Sequence, residues 1–246
     1  MQKKFLNDPF PSNTPIVIPV IHSLDTKQIT RNINVAINAG VKGVFLINHD
    51  FGLDQFLPII KEIRIRFPRI WLGVNFLAVT GKFAFPILSK LESQSCIIDA
   101  YWADNACVLE NSDLQLEAEE IARARLNSGW GGLYFGGVAF KKQRKISKEN
   151  FEDLARRAKQ FIDVITTSGV ATGREVDIAK VHKFRKGAEE HPIALASGIT
   201  LENIKNYPNV EWFLVATGIN FKDDFYNINS SRLGELVKAA KEMRLS

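Results

Sequence analysis

The sequence predicts an α/β protein built as a single (β/α)8 TIM barrel. Short apolar runs alternate with helical patterns along the 246 residues, and eight such pairs can be counted. In the last third, three apolar runs end in a small residue and a glycine, at Gly169, Gly198 and Gly218. No glycine loop follows the first strand, which disfavours an open dinucleotide-binding sheet.

The predicted strands are rich in β-branched and apolar residues, as buried parallel strands are. They cover residues 16–21, 44–47, 70–75, 96–100, 132–135, 162–167, 193–196 and 212–216. Residues 1–15 contain three prolines and are predicted to form an irregular N-terminal arm. No segment resembles a linker, so residues 1–246 are predicted to be one domain.

Helical patterns separate these strands. Asp25 is predicted to cap the first helix with Gln28 as its capping-box partner, and Ala39-Gly40 ends that helix. Later helices are predicted over residues 53–66, 85–91, 114–127, 147–160 and 177–187, with a short helix capped by Thr200 and a last helix beginning at Ser230 or Ser231.

The composition is that of an ordinary globular protein, with 46% hydrophobic and 24% charged residues. No apolar stretch reaches the ~18 residues of a membrane span, and the first residues lack a secretory signal. Cys96 and Cys107 are too few for a disulfide framework. These observations predict a cytoplasmic protein.

The net charge is +5, and one basic cluster follows the fifth strand: Lys141, Lys142, Arg144, Lys145 and Lys148. This cluster is either a solvated loop or a region that attracts an anionic ligand. Nucleic acid is disfavoured as a partner because aromatic residues do not interleave with the basic ones.

Glycine at a strand end leaves backbone N–H groups open, and such groups bind phosphate without a cationic side chain. We therefore predict a phosphate site at Ser197, Gly198, Thr217 and Gly218, after the seventh and eighth strands. The segment 168–173 has two glycines and two hydroxyl residues and is predicted to bind substrate and to close over it. The alternative for this segment is a turn with two flexible points. Its predicted substrate-binding residues are Ser168, Gly169, Thr172 and Gly173.

In a barrel of this class the ligand lies at the carboxyl ends of the strands. Asn48, Asn75 and Lys141 fall at or after such ends and are predicted to bind substrate. No lysine ends a predicted strand, and Lys141 and Lys82 are expected to be solvated in loops, which disfavours a Schiff-base aldolase. Ser168 and Ser197 lack the strand–elbow–helix pattern of a nucleophile.

Three residues are candidates for catalysis. Asp99 is predicted to face the barrel interior near the end of the fourth strand, where a carboxylate is costly unless paired or used; the alternative is a strand-end residue bonded to local backbone. His22 and His49 follow adjacent strands, which would bring them near each other. Both are predicted to transfer protons, unless each is simply a hydrogen-bonded loop histidine. With Asp50 they leave a divalent metal site open, but the spacing is not specific and no cofactor is predicted.

The C-terminal half resembles the BtpA family, which is named for a role in photosystem I biogenesis. Residues 163–173, 195–203 and 215–219 carry the resemblance, with weaker echoes at His22, Asn48 and Asn75. The resemblance implies a β/α barrel that is a homo-oligomer, and it implies no settled reaction. The family's proline- and glycine-rich loop after the first strand is replaced here by Ser23-Leu24-Asp25, and apolar residues follow Asn75.

Together these features predict an enzyme that acts on a small phosphorylated metabolite, such as a sugar phosphate or nucleotide, by acid–base chemistry. The main alternative is a non-catalytic assembly or regulatory protein that retains the barrel and the ligand site. The altered loops after the first and third strands motivate that alternative.

Overall fold

A computed structural model describes residue 10, residues 13–171 and residues 173–245. Eight parallel strands form a closed barrel in chain order, with the last strand pairing with the first, which confirms the predicted fold class. The strands are β1 (Ile16–Ser23), β2 (Gly43–Asn48), β3 (Trp71–Asn75), β4 (Ala100–Ala103), β5 (Leu133–Gly137), β6 (Val164–Thr167), β7 (Ile193–Leu195) and β8 (Trp212–Val215).

The helices of the described chain lie outside the barrel. They are α1 (Thr26–Asn38), α2 (Leu53–Arg66), α3 (Gly81–Ser93), α4 (Leu116–Ser128), α5 (Phe151–Ala158), α6 (Ile178–Ala188) and α7 (Ser230–Glu242). The predicted capping of α1 is confirmed, because the Asp25 carboxylate accepts a 2.7 Å hydrogen bond from the Gln28 backbone N–H. None of these helices is both long and apolar enough to span a membrane.

One predicted helix is wrong. Where a helix capped by Thr200 was expected between β7 and β8, the chain forms only a 3-10 turn at Ile204–Asn206. The side chain of Asn203 explains this turn: its Oδ1 accepts from the Thr200 N–H and its Nδ2 donates to the Gly198 carbonyl. These local bonds compete with helical ones.

Side chains alternate along each strand, which divides the apolar residues into two layers. Val20, Phe45, Trp102, Phe135 and Leu214 belong to the layer that fills the barrel interior. Residues on the opposite strand faces pack against the helices. The alternation therefore decides which polar residues face inward at the carboxyl ends of the strands.

Aromatic rings close the amino-terminal end of the barrel. Trp71 of β3 and Trp212 of β8 are stacked with centroids 5.9 Å apart. The ring of Phe10 meets both edge-on, at 5.5 Å and 5.1 Å. These rings fill the barrel interior at this end, so a ligand that enters the barrel must approach from the other end.

A repeated arginine–carboxylate arrangement joins pairs of strands near this closed end. In each copy, an acidic residue just before an even-numbered strand accepts a hydrogen bond from the backbone of the odd-numbered strand that precedes it. The same carboxylate also accepts from an arginine of the even-numbered helix that comes before that odd-numbered strand. The three sets are Asp99 with Leu72 and Arg64, Asp163 with Tyr134 and Arg125, and Glu211 with Ile193 and Arg185. Carboxylates that are half-buried and bonded in this way to both backbone and arginine indicate a structural role.

The prediction for β4 and Asp99 is wrong in two respects. The strand begins at Ala100, so Asp99 precedes it and lies at the closed end, 2.8 Å from the Arg64 guanidinium. It is Ala100 and Trp102, not Tyr101, that face the barrel interior. The run at residues 96–100 was apolar enough to suggest a strand, but Arg64 binds the Ile97 carbonyl and Asp99, and pairing with β3 starts only at Ala100.

Candidate functional site

Two histidines meet at the open end of the barrel. His22 lies in β1 and His49 directly follows β2, and their rings are 4.8 Å apart at 75°. The neighbouring strand register, with His22 opposite Ile47, produces this approach. The predicted proximity of the two histidines is therefore confirmed.

The loop after β8 covers His22. Phe225 stacks on the imidazole with centroids 3.7 Å apart, and the His22 Nδ1–H donates to the Phe225 carbonyl at 3.1 Å. Burial, and next the neighbouring His49, lower the pKa of His22 to about 3. The ring is thus neutral at physiological pH, and because Nδ1 carries the proton, Nε2 is a hydrogen-bond acceptor.

Asn75 and Asp104 form the second polar pair at this end. The Asn75 Nδ2 donates a 3.0 Å hydrogen bond to Asp104 Oδ1, joining the end of β3 to the residue after β4. Burial raises the pKa of Asp104, although the Asn75 hydrogen bond and the positive charge of Lys141 oppose the shift. Asp104 therefore occupies the position that the sequence assigned to Asp99.

Two buried polar atoms near this pair have no hydrogen-bond partner among the described residues. They are Asn75 Oδ1, an acceptor, and Trp102 Nε1, a donor. Native interiors rarely leave such atoms unpaired, so they call for a ligand or water partner. Their chemistry suits a polar, oxygen-bearing molecule.

Lys141 differs from its prediction. Its side chain is half-buried rather than solvated, and burial lowers the pKa of its ammonium while Asp104 raises it. The backbone N–H of Lys141 donates to Ser168 Oγ at 2.7 Å, which ties the β5–α5 loop to the end of β6. A partly desolvated cation thus stands beside a carboxyl group.

Glycines let the loop after β6 pack directly on the ends of β7 and β8. Gly198 has φ +63°, and a Cβ there would collide with the Arg174 backbone. The Ser197 hydroxyl points to the same loop, 2.9 Å from the Ala171 carbonyl and 3.0 Å from that of Arg174. A Cβ on Gly218 would likewise collide with the Ile199 carbonyl. The hydroxyl of Ser197 is therefore engaged within the protein.

A cavity lies beneath this loop, with about 400 Å³ of empty space when the open solvent at its mouth is included. His22, Trp102, Lys141, Gly173, Gly198 and Thr217 are among the residues that line it. The backbone N–H groups of Gly198, Ile199, Thr217 and Gly218 find no acceptor among the residues that the structure describes. Gly198 and Ile199 are buried, so their unpaired N–H groups face a protected space. We call this space the phosphate cavity, after the phosphate site that the sequence predicts at Gly198.

The remaining predicted residues lie around this cavity in different ways. The Asn48 side-chain amide is hydrogen-bonded within the protein: it donates to the Phe51 carbonyl and accepts from the Leu77 N–H. Ser168 and Gly169 line a neighbouring groove instead. Thr172 lies outside the described residues. No three His, Cys, Asp or Glu side chains converge as metal ligands in the described part of the chain.

The sequence missed two contributors to this site. Asp104 was visible as a polar residue after the fourth strand, but the misplaced strand gave preference to Asp99. Phe225 carried no signal, because its place over His22 depends on contacts distant in the chain. Gln28 and Asn32 of α1 both donate to the Tyr226 carbonyl at 2.7 Å and dock this loop.

Comparison with solved structures defines the class as a (β/α)8 barrel. The native KDPGal structure matches with TM-score 0.62 and 10% identity, covering 92% of this chain and 94% of that one. Phosphoribosyl anthranilate isomerase from Thermus thermophilus matches at 0.59 and 10%, covering 92% and 98%. Orotidine 5'-monophosphate decarboxylase from Methanocaldococcus jannaschii matches at 0.59 and 13%, covering 94% and 98%. These likenesses establish the fold alone.

The family is decided by the sequence. The model of the BtpA family matches residues 58–242, and this chain belongs to that family, which confirms the resemblance. The uncharacterized protein TK2179 of Thermococcus kodakarensis is 26% identical over 179 residues, covering 71% of this chain and 67% of the relative.

Proposed function

We propose that this protein is an enzyme that acts on a small phosphorylated metabolite, a sugar phosphate or a nucleotide, by acid–base chemistry. One observation carries the proposal: the buried N–H groups of Gly198 and Ile199 face a cavity and have no acceptor among the described residues. An unsatisfied buried donor costs about 1–3 kcal/mol, so a ligand oxygen there is favoured.

A phosphate group suits this arrangement better than a neutral ligand. Thr217 and Gly218 add two further open N–H groups from the next strand end, and Lys141 lines the same cavity. Several converging backbone donors with one ammonium match the oxygens of a dianion. The Ser197 hydroxyl is not assigned to the phosphate, because it already donates to carbonyl groups of the loop above the cavity.

Proton transfer is assigned to Asp104. Its pKa is raised towards neutral pH, and a group whose pKa lies near the working pH can both accept and donate a proton. Asn75 orients it, and the neutral His22 offers Nε2 as an acceptor for a substrate hydroxyl. Isomerisation or bond cleavage in a phosphorylated sugar requires little more than such groups. The side chains named here are sufficient for this chemistry. Whether activity also depends on a divalent metal is tested by measuring turnover with and without a chelator.

Two of the similar folds support the class of substrate as an expectation. Their names, phosphoribosyl anthranilate isomerase and orotidine 5'-monophosphate decarboxylase, refer to phosphorylated compounds. The identity of 10–13% carries no residue-level assignment to this chain.

The first test is thermal stabilisation by glycerol 3-phosphate, ribose 5-phosphate and nucleoside 5'-monophosphates, each beside its unphosphorylated counterpart. A ligand at 100 times its Kd should stabilise the fold by about 2.7 kcal/mol. Gly198→Asp should abolish the effect, because the new side chain would displace the Arg174 backbone above the phosphate cavity and bring a carboxylate close to the bound phosphate. Gly131→Asp is the matched control, because Gly131 is exposed and has open space around it.

The proposal is contradicted if no phosphate ester stabilises the protein. It is also contradicted if stabilisation by a phosphate ester survives Gly198→Asp. Binding without turnover of any bound compound favours instead a non-catalytic assembly or regulatory protein that retains the ligand site.

A further inference from the structure

A basic groove lies beside the phosphate cavity, between the loops that follow β5 and β6. It contains about 1240 Å³ of empty space, and Lys141, Lys142, Lys145, Ser168 and Lys180 are among its lining residues. Lys141 also lines the phosphate cavity, so the two spaces share one residue as a common wall.

The charges that line this groove are unbalanced. Six cationic side chains face two carboxylates, those of Glu175 and Asp177. Of the cations, Arg144 pairs with Glu110 and Lys148 with Asp177. Lys142 and Lys145 have no carboxylate within 4 Å among the described residues, and both are exposed. The groove is therefore rich in cations that are available to a ligand.

Lys180 shows that the groove is a built feature and not only a set of surface lysines. Its half-buried ammonium donates to the Ala139 carbonyl at 2.6 Å and to the Ser168 carbonyl at 2.8 Å. The rings of Phe151 and Phe184 lie 5.4 Å and 5.6 Å away. One positive charge thus holds both walls together at a fixed position.

We infer that the substrate carries a second anionic group, a carboxylate or a phosphate, at the end remote from its phosphate ester, and that the basic groove binds this group. The inference rests on the proposed function, because the phosphate cavity holds the first anion. A ligand spanning both spaces places its central atoms beside Lys141, next to Asp104. This arrangement puts the reactive part of the molecule between two anchored ends, which favours catalysis by orientation.

The test compares matched ligands by isothermal titration calorimetry. Fructose 6-phosphate is paired with fructose 1,6-bisphosphate, and glycerol 3-phosphate with 3-phosphoglycerate, so that the two pairs separate a second phosphate from a carboxylate. In at least one pair, we expect the member with two anionic groups to bind at least tenfold more tightly than its partner. The double variant Lys142→Met with Lys145→Met should reduce that preference to about one. Lys27→Met with Lys238→Met removes the same net charge at exposed positions that line neither space, and should keep the preference.

The outcomes separate this inference from the proposed function. If no singly phosphorylated ligand binds, the phosphate cavity itself is disproved. If these ligands bind but the partners with a second anionic group bind no better, only the basic groove is disproved as a subsite. Salt-dependent binding of single-stranded RNA that the Lys142/Lys145 variant loses, without any preference between paired ligands, would assign the groove to nucleic acid and overturn the inference.

Discussion

Asn75 and Asp104 are joined by a 3.0 Å hydrogen bond from Nδ2 to Oδ1 at the open end of the barrel. The bond uses one N–H of the amide, and the buried Asn75 Oδ1 has no partner in the described chain. Asn75 therefore both fixes the carboxyl and presents an acceptor.

Replacement of Asp104 by asparagine should lower turnover of a bound phosphorylated substrate by about 10²–10⁴-fold, the usual contribution of a general acid or base. Binding should persist, because the phosphate cavity uses the backbone at β7 and β8. Single-turnover kinetics and calorimetry on the same variant measure the two effects. Equal loss of binding and turnover would argue against proton transfer by Asp104.

Replacement of Asp99 by asparagine should affect stability and leave ligand affinity unchanged. The carboxylate accepts from Leu72 N–H and from the buried Arg64, at the end of the barrel opposite the site. Losing its charge should lower the free energy of unfolding by about 1–3 kcal/mol. Urea denaturation measures this change. A normal unfolding curve with impaired turnover would return Asp99 to the active site.

Replacement of Gly198 by alanine should weaken phosphate binding at least tenfold. The residue has φ +63° and its added Cβ would displace the Arg174 backbone, so the loop above the cavity must move. Gly234→Ala is the control, since Gly234 lies in α7 with nothing within 4 Å of an added Cβ. That control should stabilise the protein by about 0.5–1 kcal/mol. Unchanged affinity in Gly198→Ala would show that the loop does not shape the cavity.

Replacement of His22 by glutamine should flatten the dependence of stability on pH below neutrality. The pKa of His22 is about 3 in the folded protein, against about 6.5 for an unperturbed histidine. Between these values the unfolded state binds more protons, so the free energy of unfolding falls as pH drops from 6.5 to 3. At roughly 1.4 kcal/mol per pKa unit, the loss is on the order of a few kcal/mol.

Urea titrations at pH 7 and pH 4.5 on the wild type and His22→Gln test this expectation. His182→Gln provides the control at an exposed position of α6. A wild-type slope that His22→Gln leaves unchanged would mean that His22 is not the group responsible.

Local signals predicted most of the barrel. Every predicted strand except the fourth agrees with the structure to within two residues at each end. Capping by Asp25 was also predicted correctly, since the bond connects residues only three positions apart. The fourth strand was misplaced: it begins at Ala100, and the residues before it are bound by Arg64, which is more than thirty positions away in the chain.

The sequence by itself determined the barrel, the family and the set of glycine-ended strands, because periodicity, capping and motifs are properties of neighbouring residues. Only the tertiary structure decided that Asp104 and not Asp99 lies at the open end of the barrel, that Phe225 covers His22 and that Lys141 is partly desolvated. Each of these depends on side chains from distant segments meeting at one end of the barrel. Burial and charge at such a meeting point set the protonation of the groups, and no local pattern encodes that environment.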